Sequence, residues 1–290
     1  MDIIKQYNIV KGALIGNLMK VRVWFDIHVR KSISISDKQD DSFIVSLTSY
    51  GHRVQCSVVY TIYSMIKQRL RPERIVLWLS QDEFSIDTLP ASLLFLRRYG
   101  LDIRFCEDIR SYKKLIPARE MFGDKNIITI DDDIYYSPLL TQELVSQHRE
   151  NPDCIIAECA LITEKKDDGF KPYVQWNRYH RVSADFVYDP LRICPIGFGG
   201  VLYPAGIFSE EVLHREVFMT LCPQADDIWF FYQALRSGIK RRFVVDSRVN
   251  YYPVDLFRQK RQRDRLCETN AGESLNDSQL KALVAHYGIK

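Results

Sequence analysis

From residue 43 to residue 157, short apolar runs alternate with stretches of helical periodicity. That alternation narrows the possible folds more than any other feature of the chain. FIVSLT (43–48) reads as a buried strand ending in Ser-Tyr-Gly, and Val54–Lys67 then sets Val58, Ile62, Met65 and Ile66 on one helical side. RIVLWL (74–79) is a second strand, Leu89–Tyr99 a helix closed by Gly100, and DIRF (102–105) a third strand. NIITI (126–130) is a fourth and ends directly at Asp131. Ser137-Pro138 supplies an N-cap and a first-turn proline for a helix through Arg149, and CIIA (154–157) is a further strand. Strands separated by helices pair in parallel, so the expected fold is α/β: a Rossmann-like, mostly parallel central sheet with helices on both faces. In such sheets ligands bind beyond the carboxyl ends of the strands. Thr48–Arg53, Ser80–Glu83 and Asp131–Asp133 all fall at such ends.

The rest of the chain is less regular. GGVLYP (199–204) and RRFVVD (241–246) read as strands, Asp226–Arg236 as a helix ending at Gly238, and Asn276-Asp277 as the cap of a last helix through Tyr287. Residues 1–31 carry Ile3, Ile4, Ile9, Val10, Leu14, Leu18 and Val21 at roughly helical spacing, among six Lys and Arg and only Asp2 and Asp26. A basic amphipathic helix of this kind suits either an anionic membrane surface or packing on its own domain or a subunit partner. Residues 32–42 are polar and read as a linker. The expected organisation is an N-terminal helical extension and linker (1–42), a catalytic domain (43–255, divided at 136) and a C-terminal helical tail (256–290) that contains the basic run Arg258–Arg265.

With 46% hydrophobic residues, 27% charged residues and a net charge of +3, nothing in the bulk composition points to nucleic acid as a partner. Seven scattered cysteines with no CxxC pair fit reduced thiols, and no run approaches the roughly 20 apolar residues of a membrane span. No signal peptide of the usual build is evident, so the expectation is a cytoplasmic chain, soluble or peripheral on the inner face of the membrane.

IITIDDDIYY (127–136) is where the chemistry concentrates. Three carboxylates follow an apolar strand without an intervening turn, and alternation on an extended backbone would turn Asp131 and Asp133 to one side. Like charges at that spacing raise one another's pKa unless a cation neutralises them. A hard divalent ion, Mg²⁺ or Mn²⁺, with positions left open for phosphate, meets that need. The plain alternative is an acidic, solvated turn. A second acidic pair, Asp226-Asp227 in CPQADDIWFFYQAL (222–235), opens a helix whose dipole favours carboxylates there, and capping alone would explain it.

A strand followed by D-x-D and then hydrophobic residues resembles the signature of GT-A glycosyltransferases. In motif order, residues 43–255 look like the bacterial family-2-like branch that builds surface polysaccharides, O-antigen or capsule, and more weakly like galactofuranosyltransferases. The resemblance implies that Asp133 ligates the metal that bridges the donor diphosphate, with Asp131 at the metal or ribose and Asp132 beside the nucleotide. It likewise implies that Thr48, Tyr50 and Arg53 in SLTSYGHR, Ser80 at the next strand end, and Lys113 or Lys114 in SYKKLIPA contact the nucleotide. Asp227 would be the base that takes the acceptor hydroxyl proton, supported by Asp226. Trp176 and Arg178 in PYVQWNRYH, with Gly199 and Gly200 in GFGGVLYP, would face sugar or acceptor; His180 is a remote candidate ligand. Trp78 and Trp176 could equally be core residues, and Lys113 and Lys114 surface residues.

The implied reaction is a single displacement with inversion. It moves a hexosyl group from a nucleoside diphosphate donor, UDP by family association, to a glycan acceptor, either free or lipid-linked; a homo-oligomer is allowed. Two rival readings share the fold logic: a nucleotidyltransferase or phosphotransferase using the same metal site, and a non-catalytic nucleotide-sugar-binding module. The first would ordinarily show a glycine-rich phosphate loop or a lysine pair near the first strand, and SLTSYGHR has neither.

Overall fold

The computed structural model describes residues 3–166, 169–255 and 275–288. The basic run Arg258–Arg265 therefore lies outside the described residues, as does Cys267. Leaving aside two-residue pairings, the strands in chain order are β1 (Phe43–Thr48), β2 (Ile75–Ser80), β3 (Leu101–Cys106), β4 (Asn126–Thr129), β5 (Ile134–Tyr136) and β6 (Cys154–Ala157). They continue with β7 (Cys159–Ile162), β8 (Asn177–His180), β9 (Ile193–Pro195), β10 (Val201–Tyr203), β11 (Lys240–Phe243) and β12 (Tyr251–Pro253). The α-helices are α1 (Ile3–Trp24), α2 (Arg53–Cys56), α3 (Val58–Ile66), α4 (Ala91–Leu96) and α5 (Ile116–Met121). They continue with α6 (Leu140–Glu150), α7 (Arg215–Leu221), α8 (Asp226–Arg236) and α9 (Leu275–Tyr287).

The main sheet has seven strands and is mostly parallel, which makes the chain an α/β protein. The described residues divide into two compact units, each assembled from separated segments: one from 3–108, 131–142 and 249–255, the other from 109–130, 143–166, 169–248 and 275–288.

In the first unit β1, β2 and β3 run parallel, with Leu47 opposite Leu77 and Leu77 opposite Ile103. β1 and β2 are near-continuous apolar runs because both faces are covered, as parallel strands require. β5 pairs antiparallel with β12, Tyr136 facing Tyr251. The helix expected over Val54–Lys67 is interrupted at Ser57, which leaves helical geometry at φ −123° and separates α2 from α3. α1 runs on through a π-helical turn, Phe25–Val29. Its inner face carries Gly16, Val23, Asp26 and Ile27; Gly16 lies so near the Pro253 carbonyl that an added Cβ would sit 3.2 Å from it. Asp26 accepts a hydrogen bond from the Tyr63 hydroxyl. Of the two expectations for this helix, packing on its own domain describes that inner face.

In the second unit β10 lies antiparallel between β4 and β6, and β11 pairs parallel with β6. A separate three-stranded sheet, β8-β7-β9, is antiparallel throughout. Gly199 closely approaches Cys159 at the start of β7: a Cβ there would fall 2.6 Å from Cys159 Cβ and 3.0 Å from its backbone nitrogen. Arg241 is fully buried and spends its guanidinium on the carbonyls of Leu191, Ile193 and Ile239, so this cation is a strut and not a ligand. Among the described residues no helix is long and apolar enough to cross a membrane.

Candidate functional site

In the first unit, β1 delivers Thr48 to the loop Ser49–Arg53. Thr48 Oγ1 donates to the Trp78 carbonyl at 2.9 Å, and the indole of Trp78 is buried and donates to Ser46 Oγ, so Trp78 is a core residue. Ser49 Oγ donates to Asp132 Oδ2 at 2.6 Å, and Arg53 Nη1 donates to Asp132 Oδ1 at 2.7 Å. The same guanidinium nitrogen lies 3.2 Å from Asp133 Oδ2, and its carbon lies 5.1 Å from the centre of the Tyr50 ring. Asp132 is only 4% exposed, and burial raises its pKa against the opposing pull of Arg53 and Ser49. Burial works against the charge on Arg53, but Asp132 and Asp133 outweigh it and hold the guanidinium firmly protonated.

Exposure sets Asp131 and Asp133 apart from Asp132, in keeping with the expected alternation, but the backbone that produces this is not a strand. β4 ends at Thr129, and Asp132-Asp133 form a turn before β5, so strand alternation does not govern where these carboxylates point. Instead the middle aspartate is drawn inward by two partners, while Asp131 and Asp133 are partly exposed. Asp131 donates its backbone N–H to the Tyr136 hydroxyl, and the Asp133 carbonyl accepts from Val254 N–H, so β5 and the chain after β12 brace the turn.

These residues allow a test of fit for a divalent ion. Among the described residues no three His, Cys, Asp or Glu side chains come together as a ligand set. A closed protein cage is therefore not what this turn offers. Two partly exposed carboxylates do fit the other mode, in which Mg²⁺ or a similar hard cation takes one or two protein carboxylates and completes its shell with phosphate and water. Ser80 ends β2 nearby in sequence order to the Gln81–Phe84 turn; it is buried, and its hydroxyl accepts from Asp82 N–H.

In the second unit the acidic pair starts α8. Asp226 is buried, with Lys114 Nζ 3.0 Å from its Oδ2, near enough for an ion pair though off the line of a hydrogen bond. Lys114 also lies 3.9 Å from Asp227 Oδ1, and both Asp227 oxygens accept from Gly197 N–H at 3.2 Å. Asp227 is the more open of the two, its side chain 27% exposed. Burial, chiefly, and then the two aspartates raise the pKa of Tyr203, with Lys114 opposing. Lys113 and Lys114 are both buried, so the surface alternative for this pair does not hold. The Tyr112 hydroxyl, donating to the Cys222 carbonyl, fastens the segment that carries them.

The remaining expected contacts divide. Trp176 is 5% exposed, donates its indole N–H to the Lys171 carbonyl, and is enclosed by Phe170, Tyr173 and Phe231. That packing supports its core alternative over a sugar platform. Arg178 stands on β8 over the Phe198 ring at 5.6 Å, and His180 ends the same exposed strand. Gly199 is explained by Cys159, and Gly200 adopts φ +94°, a conformation open to glycine. Ser49 and Gly197, which hold Asp132 and Asp227, were not singled out by sequence; no local signal marks either one.

A third cluster was also not anticipated. Glu158, directly after β6, is buried beside Glu143, and Ser247 lies between them. Burial pushes the Glu158 carboxyl up to about 8; the Ser247 hydrogen bond opposes this, Glu143 adds to it and Arg181 opposes it. A hydroxyl has one proton, so the arrangement is satisfied when protonated Glu158 donates to Ser247 and Ser247 donates to Glu143.

No family model and no curated protein matches the chain. Solved structures resemble it distantly. One is described as a glucose-1-phosphate thymidylyltransferase from Bacillus anthracis in complex with a sucrose, 12% identical with a TM-score of 0.41, over 84% of this chain and 96% of that one. Another is GalNAc-T7 with UDP, GalNAc and Mn²⁺, 17% identical with a TM-score of 0.43, over 73% and 42%. A third is a cytidylyltransferase from Leptospira borgpetersenii serovar Hardjo-bovis, 10% identical with a TM-score of 0.39, over 71% and 75%. Likenesses of this size assign no activity.

Proposed function

We propose that the chain is a metal-dependent, inverting glycosyltransferase that moves a sugar from a nucleoside diphosphate donor, in the first instance a UDP-sugar, to a glycan hydroxyl. The observation that carries this reading is the acidic turn at the end of β4. Its middle carboxylate is tied inward by Ser49 and Arg53, and its two outer carboxylates are partly exposed. Asp131 and Asp133 would hold Mn²⁺ or Mg²⁺, which when bound supplies charge stabilisation to the departing diphosphate. Arg53, held by Asp132 and Asp133, orients that turn, and the Tyr50 ring beneath it offers a face to the nucleotide base. Asp227 takes the proton from the acceptor hydroxyl. Gly197 N–H fixes the orientation of its carboxylate, and Asp226, neutralised by Lys114, adds little repulsion to the charge that Asp227 needs.

By resemblance alone, the product belongs to a bacterial surface polysaccharide such as O-antigen or capsule, galactofuranose among the candidate sugars. The acceptor would then be lipid-linked and the enzyme cytoplasmic, at the inner face of the membrane.

The test is a panel of thermal melts followed by a donor screen. UDP with Mn²⁺ at about a hundred times its Kd should stabilise the protein by about 2.7 kcal/mol, and UDP without metal should not. Asp133→Ala should remove both that stabilisation and turnover. Asp227→Asn should remove turnover while UDP with Mn²⁺ still stabilises; loss of both would refute the division of roles. Stabilisation by a nucleoside triphosphate with no response to UDP would favour nucleotidyl transfer. Binding of nucleotide sugars without any turnover would favour a binding module.

A further inference from the structure

The outer face of α1 is unlike an ordinary solvated helix surface. Leu14, Leu18, Val21 and Phe25 follow one another at intervals of four, three and four residues, which stacks them in a single stripe. Each is exposed, Leu18 at 62% and Val21 at 66%. Trp24 and Val29 widen the stripe at its C-terminal end and are also exposed. The stripe lies nearly opposite the inner face formed by Gly16, Val23 and Ile27, so folding of the first unit has already used the other side of the helix.

Charge along the described part of the helix and the turn after it is predominantly positive. Arg22, Arg30 and Lys31 are exposed; Asp26 is buried, accepts from the Tyr63 hydroxyl and lies 3.9 Å from Arg30, and Lys20 is paired with Asp255 at 3.1 Å. Lys67 on the following α3–β2 connection adds a fourth cation. Burial first, then Arg22 and Arg30 lower its ammonium, with Asp26 opposing, and it donates to the Ser34 carbonyl. A net positive charge beside an exposed apolar stripe is attracted to an anionic lipid surface.

We propose that α1 and its π-helical extension form a monotopic membrane anchor that lies flat on an anionic bilayer. Leu14, Leu18, Val21 and Phe25 enter the acyl boundary, Trp24 sits at the headgroup level, and Arg22, Arg30, Lys31 and Lys67 pair with lipid phosphates. An amphipathic helix in this posture sinks about 5–10 Å into the interface. The stripe contains no charged residue, and tryptophan favours that depth because its ring is apolar and its N–H is polar. A second copy of the chain would cover the apolar stripe equally well. It would also bring two sets of these cations together, and the charge distribution therefore favours lipid.

The experiment uses the full chain with sedimented vesicles of phosphatidylcholine alone and of phosphatidylcholine with phosphatidylglycerol. The chain should sediment with the anionic vesicles, release as salt is raised, and stay largely in solution with the neutral ones. Leu18→Asp combined with Val21→Asp should lower the bound fraction at anionic vesicles by at least about tenfold. Because both side chains face away from the core, the far-UV spectrum and melting temperature should not move; Leu18→Ser with Val21→Ser is the second, uncharged pair if they do. Failure to bind anionic vesicles, equal binding to neutral ones, or unchanged binding by both variant pairs would each overturn the proposal. So would a dimer in light scattering that the same variants dissociate while vesicle binding is absent.

Discussion

Asp132 shows how much of this site is decided one residue at a time. Its buried carboxylate is tolerated because Arg53 and Ser49 both reach it, and a charge left in that position alone would be expensive. Arg53→Ala should therefore destabilise the protein by about 3 kcal/mol, read as a lower urea midpoint, and Arg53→Lys should recover only part of the loss because an ammonium does not reproduce the planar guanidinium's place over the Tyr50 ring. Glu158 has the opposite problem, since it is buried beside another carboxylate. Folded, it keeps its proton up to about pH 8, whereas an ordinary glutamate releases it near 4.5. Between those values the folded state binds more protons than the unfolded one, so stability falls as pH rises through that window and levels off above it. The melting temperature should drop between pH 6 and pH 9, and Glu158→Gln should flatten that dependence.

At the scale of elements, strands and helices whose identity is local were legible from the chain. FIVSLT and CIIA are strands over the residues expected, and α8 spans Asp226–Arg236 as its capping acids and periodicity imply. What was not legible depends on partners far along the chain. The aspartate turn is shaped by Ser49 and Arg53, 83 and 79 residues before Asp132, so no reading of IITIDDDIYY could reveal its bend. The burial of Lys114 depends on an aspartate more than a hundred positions later. The antiparallel sheet of β7, β8 and β9 was also missed. β8, NRYH, is short, polar and exposed, and it carries none of the alternation that marks a half-buried strand. Gly199 ties that sheet to β10, and Gly199→Ala should cost about 1–3 kcal/mol in thermal or urea unfolding, because the Cys159 backbone as well as its side chain stands in the way. Trp176→Ala should cost about 3–5 kcal/mol, as removal of a core indole does, whatever its effect on turnover.

At the scale of the molecule, neither compact unit is a continuous stretch of chain. The polypeptide passes from one to the other after residues 108, 130, 142 and 248, and the first unit recovers its strand β12 only at Tyr251–Pro253. A chain ended after residue 248 should therefore fail to fold as a whole, even though it keeps β1 to β3 and every residue assigned here to the site. It would leave β5 without its partner and α1 without the backbone it packs on, and far-UV spectra with a lost cooperative melt would report this.

That threading bears on how the protein is made. A ribosome releasing this polypeptide from its N-terminus has to expose β5 and the Asp131–Asp133 turn long before residues 251–254 emerge to brace them. Until then the inner face of α1 at Gly16 and the uncovered edge of β5 are presented together to the surroundings. The nascent chain is thus most prone to clumping late in translation, and slow decoding or a holding chaperone would matter most during the interval just before residue 250.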